Sequence, residues 1–146
     1  MDQGTSDKNV KQAVPFFAVS DMPQSLRFYV DGLGFEMTHS WIYDETVRWC
    51  YLQRGGAALM LQDFRRDDGG RWAPEGKLGL GVSIMFMCED ALAIYREARE
   101  RGLEPSRPFV GNGMWVTSFS DPDGYRVEFE SYTDVPEETE FNDGIH

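Results

Sequence analysis

The chain has 146 residues, and its 25 acidic against 14 basic residues give a formal net charge of −11. This length supports one domain or two small half-domains, and a hydrophobic content of 41% argues against intrinsic disorder. The acidic balance argues against a nucleic-acid partner, because proteins that bind phosphate backbones usually present a basic face. No apolar run approaches the roughly 18 residues of a membrane span, so no membrane partner or secretory signal is expected.

The two cysteines, Cys50 and Cys88, each lie inside an apolar segment. This placement predicts reduced, buried thiols in a cytoplasmic protein and not a disulfide framework. The chain has no pair of closely spaced cysteines of the kind that holds structural zinc.

An apolar run followed by a capped amphipathic helix opens the ordered part of the chain. Ser20 or Asp21 supplies the helix cap, Pro23 suits the first turn, and Gly34 suits the C-terminal end. The predicted elements are a strand at 13–19, a helix at 22–33 and strands at about 35–43, 47–53 and 57–63.

The same succession of elements then occurs a second time. Its helix is capped by Glu89 or Asp90 and closed by Gly102. The predicted elements are a strand at 81–87, a helix at 91–101 and strands at about 104–109, 113–119 and 125–131. We therefore predict an α+β fold of two tandem βαβββ modules whose curved sheets form a cleft. The predicted organisation is a disordered lead (1–11), a first module (12–64), a linker (65–79), a second module (80–132) and an acidic tail (133–146).

Two motifs on this duplicated frame resemble a known family. They are Val19-Ser20-Asp21 with Phe28-Tyr29 and Leu33-Gly34-Phe35, and Asp121-Pro122-Asp123-Gly124-Tyr125-Arg126-Val127-Glu128. Over about residues 12–132 the chain resembles the vicinal oxygen chelate superfamily, which includes glyoxalases, extradiol dioxygenases, fosfomycin-resistance enzymes and bleomycin-resistance proteins. The segments Trp49-Cys50-Tyr51-Leu52-Gln53-Arg54-Gly55 and Leu59-Met60-Leu61 are most similar to the bleomycin-resistance group. That resemblance implies a homodimer with a cleft at the subunit interface and an N-terminal strand exchanged near Pro15.

The resemblance also implies where the metal enzymes of the superfamily carry their ligands. Those four positions are occupied here by Val14, Met60, Ser83 and Glu128. Val, Met and Ser are poor ligands for a hard divalent cation, so we expect no metal and no cofactor and favour a protein without catalytic activity. Glu128 remains a weak candidate for a general base, with the alternative that it is solvated or paired with Arg126 or Arg48.

Aromatic side chains predict the ligand that the cleft binds. Strand alternation puts Trp49 and Tyr51 on the cleft face, while Phe64, Trp72 and Trp115 lie in or beside loops at its rim. Aromatic planes near carboxylates suit a large, planar, cationic ligand. The predicted ligand-binding residues are Trp49, Tyr51, Met60, Phe64, Trp72, Trp115 and Glu128. The tryptophans are alternatively explained as core or interface residues.

Three functions remain open from the sequence. The favoured one is a protein that binds and sequesters a cationic or aromatic drug or metabolite. The second is a lyase, isomerase or dioxygenase, either cofactor-free or with a metal site rearranged around Glu128 and His39 or Glu130. The third is a role in assembly or regulation, with a vestigial cleft filled by Met60, Met85 and Met87, because methionine readily fills irregular gaps.

Overall fold

A computed structural model describes residues 8–64 and 76–142 of the chain. The first module contains β1 (Phe16–Val19), α1 (Met22–Leu26) continued by a π-helical segment (Arg27–Gly32), β2 (Glu36–Tyr43), β3 (Thr46–Arg54) and β4 (Ala57–Asp63). The second module contains β5 (Ser83–Met87), α2 (Ala91–Glu100), β6 (Phe109–Gly111), β7 (Met114–Ser120) and β8 (Arg126–Tyr132). None of the described helices is long and apolar enough to cross a membrane.

Each module forms one four-stranded mixed sheet. The strand orders are β1-β4-β3-β2 and β5-β8-β7-β6, and in each sheet the first strand of the module runs parallel to its last. The remaining neighbours are antiparallel. The predicted α+β fold of two βαβββ modules is confirmed.

Aspartates, and not their neighbours, cap the two helices. Asp21 accepts a hydrogen bond from the Gln24 amide at 3.1 Å, and Asp90 accepts one from the Ala93 amide at 3.0 Å. Both aspartates have extended backbone angles, which lets the side chain fold back over the first turn. Each cap therefore sets the point at which a strand ends and the chain enters its helix.

The two sheets turn one face each into a shared hydrophobic core that also contains the helices. Phe35 and Phe86 lie 5.6 Å apart between ring centroids, and Phe28 meets the edge of Phe119 at 6.3 Å. Because both helix-side faces pack into this core, the other face of each sheet points away from it. We call these the first outer face, on the sheet of β1 to β4, and the second outer face, on the sheet of β5 to β8.

Polar contacts join the modules where β1 meets the turn before β8. The buried Tyr29 hydroxyl donates to the Asp121 carboxylate at 2.7 Å, and the Tyr125 hydroxyl donates to the Ala18 carbonyl at 2.9 Å. Burial raises the pKa of Asp121, although the hydrogen bond from Tyr29 opposes this shift. The modules are thus joined by directional bonds as well as by apolar packing.

The second module departs from the predicted boundaries at β6. The sequence predicts a strand at 104–109, whereas the structure begins it at Phe109. Pro105 and Pro108 lie in the predicted segment, and proline has no N–H to contribute to a sheet. Before Phe109, the Ser106 amide donates to the Ser118 carbonyl of β7 at 3.1 Å, and regular pairing with β7 begins at Phe109.

The described part of the acidic tail packs along β6. Phe141 meets the ring edges of Tyr95 and Trp115 at centroid distances of 5.8 and 5.9 Å. The Glu137 carboxylate accepts hydrogen bonds from the amides of Asn112 and Gly113 in the turn between β6 and β7. The segment through residue 142 therefore covers the outer edge of the second sheet, a common way of protecting an edge strand.

Candidate functional site

The first outer face carries a row of aromatic and apolar side chains. Tyr51 on β3 lies opposite Met60 on β4, and Trp49 lies opposite Gln62; all four are partly buried. The His39 ring on β2 meets Tyr51 edge-on at 5.7 Å, and the Tyr51 hydroxyl donates to the Gln12 side chain at 3.4 Å. Trp49, Tyr51 and Met60, predicted as ligand contacts, thus share one face.

A β-bulge at Thr38 changes the facing of the second strand. Alternation in the sequence puts Met37 and His39 on one side, but Met37 pairs with the core residue Leu52 whereas His39 pairs with Tyr51. The additional residue inverts the alternation at this point. His39 therefore lies on the first outer face together with Trp41, which pairs with Trp49, whereas Met37 lies on the helix side.

The second outer face carries two carboxylates in its centre. Glu128 and Glu130 follow one another on one side of β8, and both are only 4% exposed. Their register partners on β5 are Met85 and Met87, which remain 53% and 55% exposed. This face therefore combines buried acidic groups with accessible methionine side chains.

Glu128 has two partners within its own sheet. The Ser118 hydroxyl donates to its Oε2 at 2.5 Å, and the Arg126 Nε lies 3.4 Å from the same oxygen. Of the two arginines considered from sequence, Arg126 is thus the partner, whereas Arg48 forms a buried ion pair with Asp63 at 3.0 Å. These contacts account for the Glu128 charge without any bound group.

Glu130 differs from Glu128 in its surroundings. No described residue donates a hydrogen bond to its carboxylate or forms an ion pair with it, in contrast to Glu128. Burial raises its pKa, and the negative charge of Glu128 raises it further. Strand alternation already put Glu130 beside Glu128, but its lack of a partner depends on side-chain positions that the sequence does not encode locally.

The four positions that correspond to metal ligands do not carry a suitable donor set. Val14 and Met60 belong to the first module, while Ser83 and Glu128 belong to the second. Within residues 8–64 and 76–142, no three His, Cys, Asp or Glu side chains cluster as a metal site would require. His39 and Glu128 lie on the outer faces of different sheets.

Of the three residues predicted at the cleft rim, two lie elsewhere in the structure and the third falls outside the described residues. Trp115 lies on the helix side of β7 with Thr117, whose hydroxyl donates to the Ala91 carbonyl at 2.9 Å, and its ring meets Phe141. Phe64 is buried beside the start of α1, where it lines a small cavity of about 260 Å³ with Ser20 and Met22. Trp72 lies outside the described residues.

A groove of about 1040 Å³ lies between the N-terminal segment and the edge of β5. Its walls include Pro15, Ala58, Met85, Met87 and Phe129, and Glu89 lies among its polar residues. The Pro15 carbonyl accepts a hydrogen bond from the Met60 amide at 2.8 Å, so the N-terminal segment pairs with β4 of the same chain. The volume suffices for a drug-sized molecule or a strand.

Comparison with known proteins gives one family match and many similar folds. Residues 11–129 match the model of the Glyoxalase/Bleomycin resistance protein/Dioxygenase superfamily. No curated protein matches the sequence. The chain is similar to the crystal structure of SMU.1112c, at 23% identity and a TM-score of 0.67, over 85% of this chain and 100% of that one.

Two further similar structures carry functional descriptions. One is a bleomycin resistance determinant encoded on the transposon Tn5, at 22% identity and a TM-score of 0.63, over 84% of this chain and 98% of that one. The other is TnmS3, an antibiotic binding protein from Streptomyces sp. CB03234, at 22% identity and a TM-score of 0.61, over the same shares, 84% and 98%. At these identities the likeness establishes the fold and not the ligand.

Proposed function

Since this chain belongs to the Glyoxalase/Bleomycin resistance protein/Dioxygenase superfamily, we propose that it binds and sequesters a cationic aromatic small molecule without transforming it. The observation that carries the proposal is the chemistry of the two outer faces. One presents the partly buried rings of Trp49 and Tyr51, and the other presents the buried carboxylates of Glu128 and Glu130. Aromatic planes and acidic groups together favour a ligand that is both flat and positively charged.

The donor set argues against the metal chemistry of related enzymes. A divalent cation needs several oxygen or imidazole ligands, and Val14 and Met60 supply neither. Glu128 already accepts a hydrogen bond from Ser118 and contacts Arg126. A binding function needs none of these positions to hold a metal, so it accounts for the residues present more simply than a lyase or dioxygenase does.

The outer faces favour a cleft built from two copies of the chain. In one chain the aromatic and acidic faces belong to different sheets, and both point away from the shared core. Phe16 on the first outer face is 54% exposed, and Met85 and Met87 on the second are about equally exposed. A homodimer that apposes the first face of one copy with the second face of its partner covers these side chains and encloses two equivalent clefts.

The groove beside β5 suits an exchange of N-terminal segments in such a dimer. The edge of β5 has no neighbouring strand among the described residues, and Pro15 lies in the wall of the groove. An extended segment of a second copy is able to pair with this edge by adding a strand. Exchange at Pro15 therefore completes the dimer in this proposal.

Two similar structures agree with the proposed class of ligand by their descriptions. One is a bleomycin resistance determinant and the other is an antibiotic binding protein. The net charge of −11 also favours a cationic ligand, because it raises the local concentration of positive ions. We accordingly infer a role in antibiotic resistance for this chain, acting in the cytoplasm.

Calorimetric titration of metal-free bleomycin into the purified protein tests the proposal. We expect one site per chain and weaker binding by Trp49→Ala, whereas Trp49→Phe retains a ring and most of the affinity. At a ligand concentration about one hundred times the Kd, the stability should rise by about 2.7 kcal/mol. The absence of both heat and stabilisation would contradict the proposed ligand class, and sedimentation as a monomer would contradict the shared cleft.

A further inference from the structure

We propose that the carboxylate of Glu130 is the group that holds the positive charge of the ligand, a refinement that rests on the proposed function. Glu130 is 4% exposed and lies on the second outer face. This role narrows the expected ligand to a molecule that carries an amine or guanidinium group on an apolar, aromatic body.

Glu130 differs from the other buried acids that the structure describes, because each of those has a partner. Asp63 pairs with Arg48, Glu128 accepts from Ser118, and Asp121 accepts from Tyr29. No described residue gives Glu130 a hydrogen bond or an ion pair. Buried polar groups are nearly always paired, since an unpaired buried charge is strongly unfavourable. The described residues offer Glu130 no such partner, and its carboxylate oxygens still reach solvent, so a bound cation has access to them.

The charges around Glu130 determine the sign of that group. Glu128 follows on the same side of β8 and adds negative charge, and it raises the pKa of Glu130 together with burial. The Arg126 side chain on this face contacts Glu128, at 3.4 Å. A bound ammonium or guanidinium relieves both unfavourable effects, whereas an anion adds to them. Glu130 therefore selects for cations.

The neighbours of Glu130 in the sheet determine what the cation is attached to. Met87 is its register partner on β5, and Val116 is its partner on β7. Methionine is flexible and polarisable, so it packs against rings of different shapes. An inorganic cation would leave these apolar groups exposed, while a cation on an apolar body covers them.

Binding of metal-free bleomycin to Glu130→Gln tests this inference, with Glu100→Gln on the exposed end of α2 as a control of equal net charge. We expect binding about 10- to 100-fold weaker for Glu130→Gln, which corresponds to the loss of a charge-assisted hydrogen bond. Glu100→Gln should bind like the unaltered protein. Glu130→Asp retains the charge and should lose less affinity than Glu130→Gln.

The possible results separate the inference from the proposed function. Equal affinity of Glu130→Gln and the unaltered protein overturns the inference alone, and so does a larger loss in Glu128→Gln. If Glu130→Gln sediments as a monomer where the unaltered protein is a dimer, the carboxylate pairs with the partner subunit and the inference is again wrong. No binding by the unaltered protein overturns both proposals.

Discussion

The Tyr29 hydroxyl and the Asp121 carboxylate meet at 2.7 Å, although the two residues are 92 positions apart in the chain. Tyr29 comes from the first module and is fully buried, while Asp121 comes from the turn that precedes β8. The amides of Asp123 and Tyr125 donate to the other oxygen of the same carboxylate, at 2.9 and 2.8 Å. One buried carboxylate thus closes its own turn and joins the two modules.

Removal of the Tyr29 hydroxyl should destabilise the protein. We expect Tyr29→Phe to lower the free energy of unfolding by about 1.5–3 kcal/mol, because a buried charged acceptor loses a donor. Urea denaturation measures this loss. Tyr95→Phe is the matched control, since among the described residues its hydroxyl accepts a hydrogen bond at 3.1 Å from the side chain of Arg99 on the surface of α2. Equal stability of the two variants would show that the contact between the modules contributes nothing.

Neutralisation of Glu130 should stabilise the protein at neutral pH. Its folded-state pKa is raised, so the stability it contributes is fully present below its ordinary pKa and is lost as the pH rises through the raised value. Glu130→Gln should therefore be more stable than the unaltered protein at neutral pH, by about 0.5–2 kcal/mol.

Urea denaturation across the acidic range checks the predicted pH dependence of Glu130→Gln. The difference in stability between this variant and the unaltered protein should shrink as the pH falls below the raised pKa. The Glu100→Gln control should show no comparable change with pH. A difference that is independent of pH would disprove the assignment to Glu130. A Glu130→Gln variant that is more stable but binds ligand more weakly is the result expected if Glu130 serves binding and lowers the stability of the fold.

Relief of strain in the turn between β2 and β3 should also stabilise the fold. Asp44 and Glu45 both have positive φ angles, of 55° and 61°. Glycine adopts this conformation without the steric penalty of a side chain, so we expect Glu45→Gly to raise the free energy of unfolding by up to about 1 kcal/mol. Glu36→Gly, within β2, should instead destabilise. Thermal unfolding measures both changes, and a loss of stability in Glu45→Gly would contradict the explanation.

Strand alternation and helix caps were readable from the sequence because they depend on neighbouring residues. The repeat of strand, helix and three strands predicted the duplicated fold. Strand alternation placed Trp49 and Tyr51 on one face of β3, and Glu128 and Glu130 on one face of β8. Pro105 and Pro108 already carried the signal that delays β6, since neither contributes an N–H to a sheet.

Only the tertiary structure decided which of these side chains have partners. Trp115 and Val116 are both apolar, so alternation alone does not show which of them faces the helix. The packing of Trp115 against Phe141 settles that question. Likewise, two glutamates on one side of β8 look equivalent in sequence, but Ser118 donates a hydrogen bond to Glu128, whereas no described residue donates one to the Glu130 carboxylate. Hydrogen bonds between strands depend on register and on residues distant in the chain, and a local pattern does not contain them.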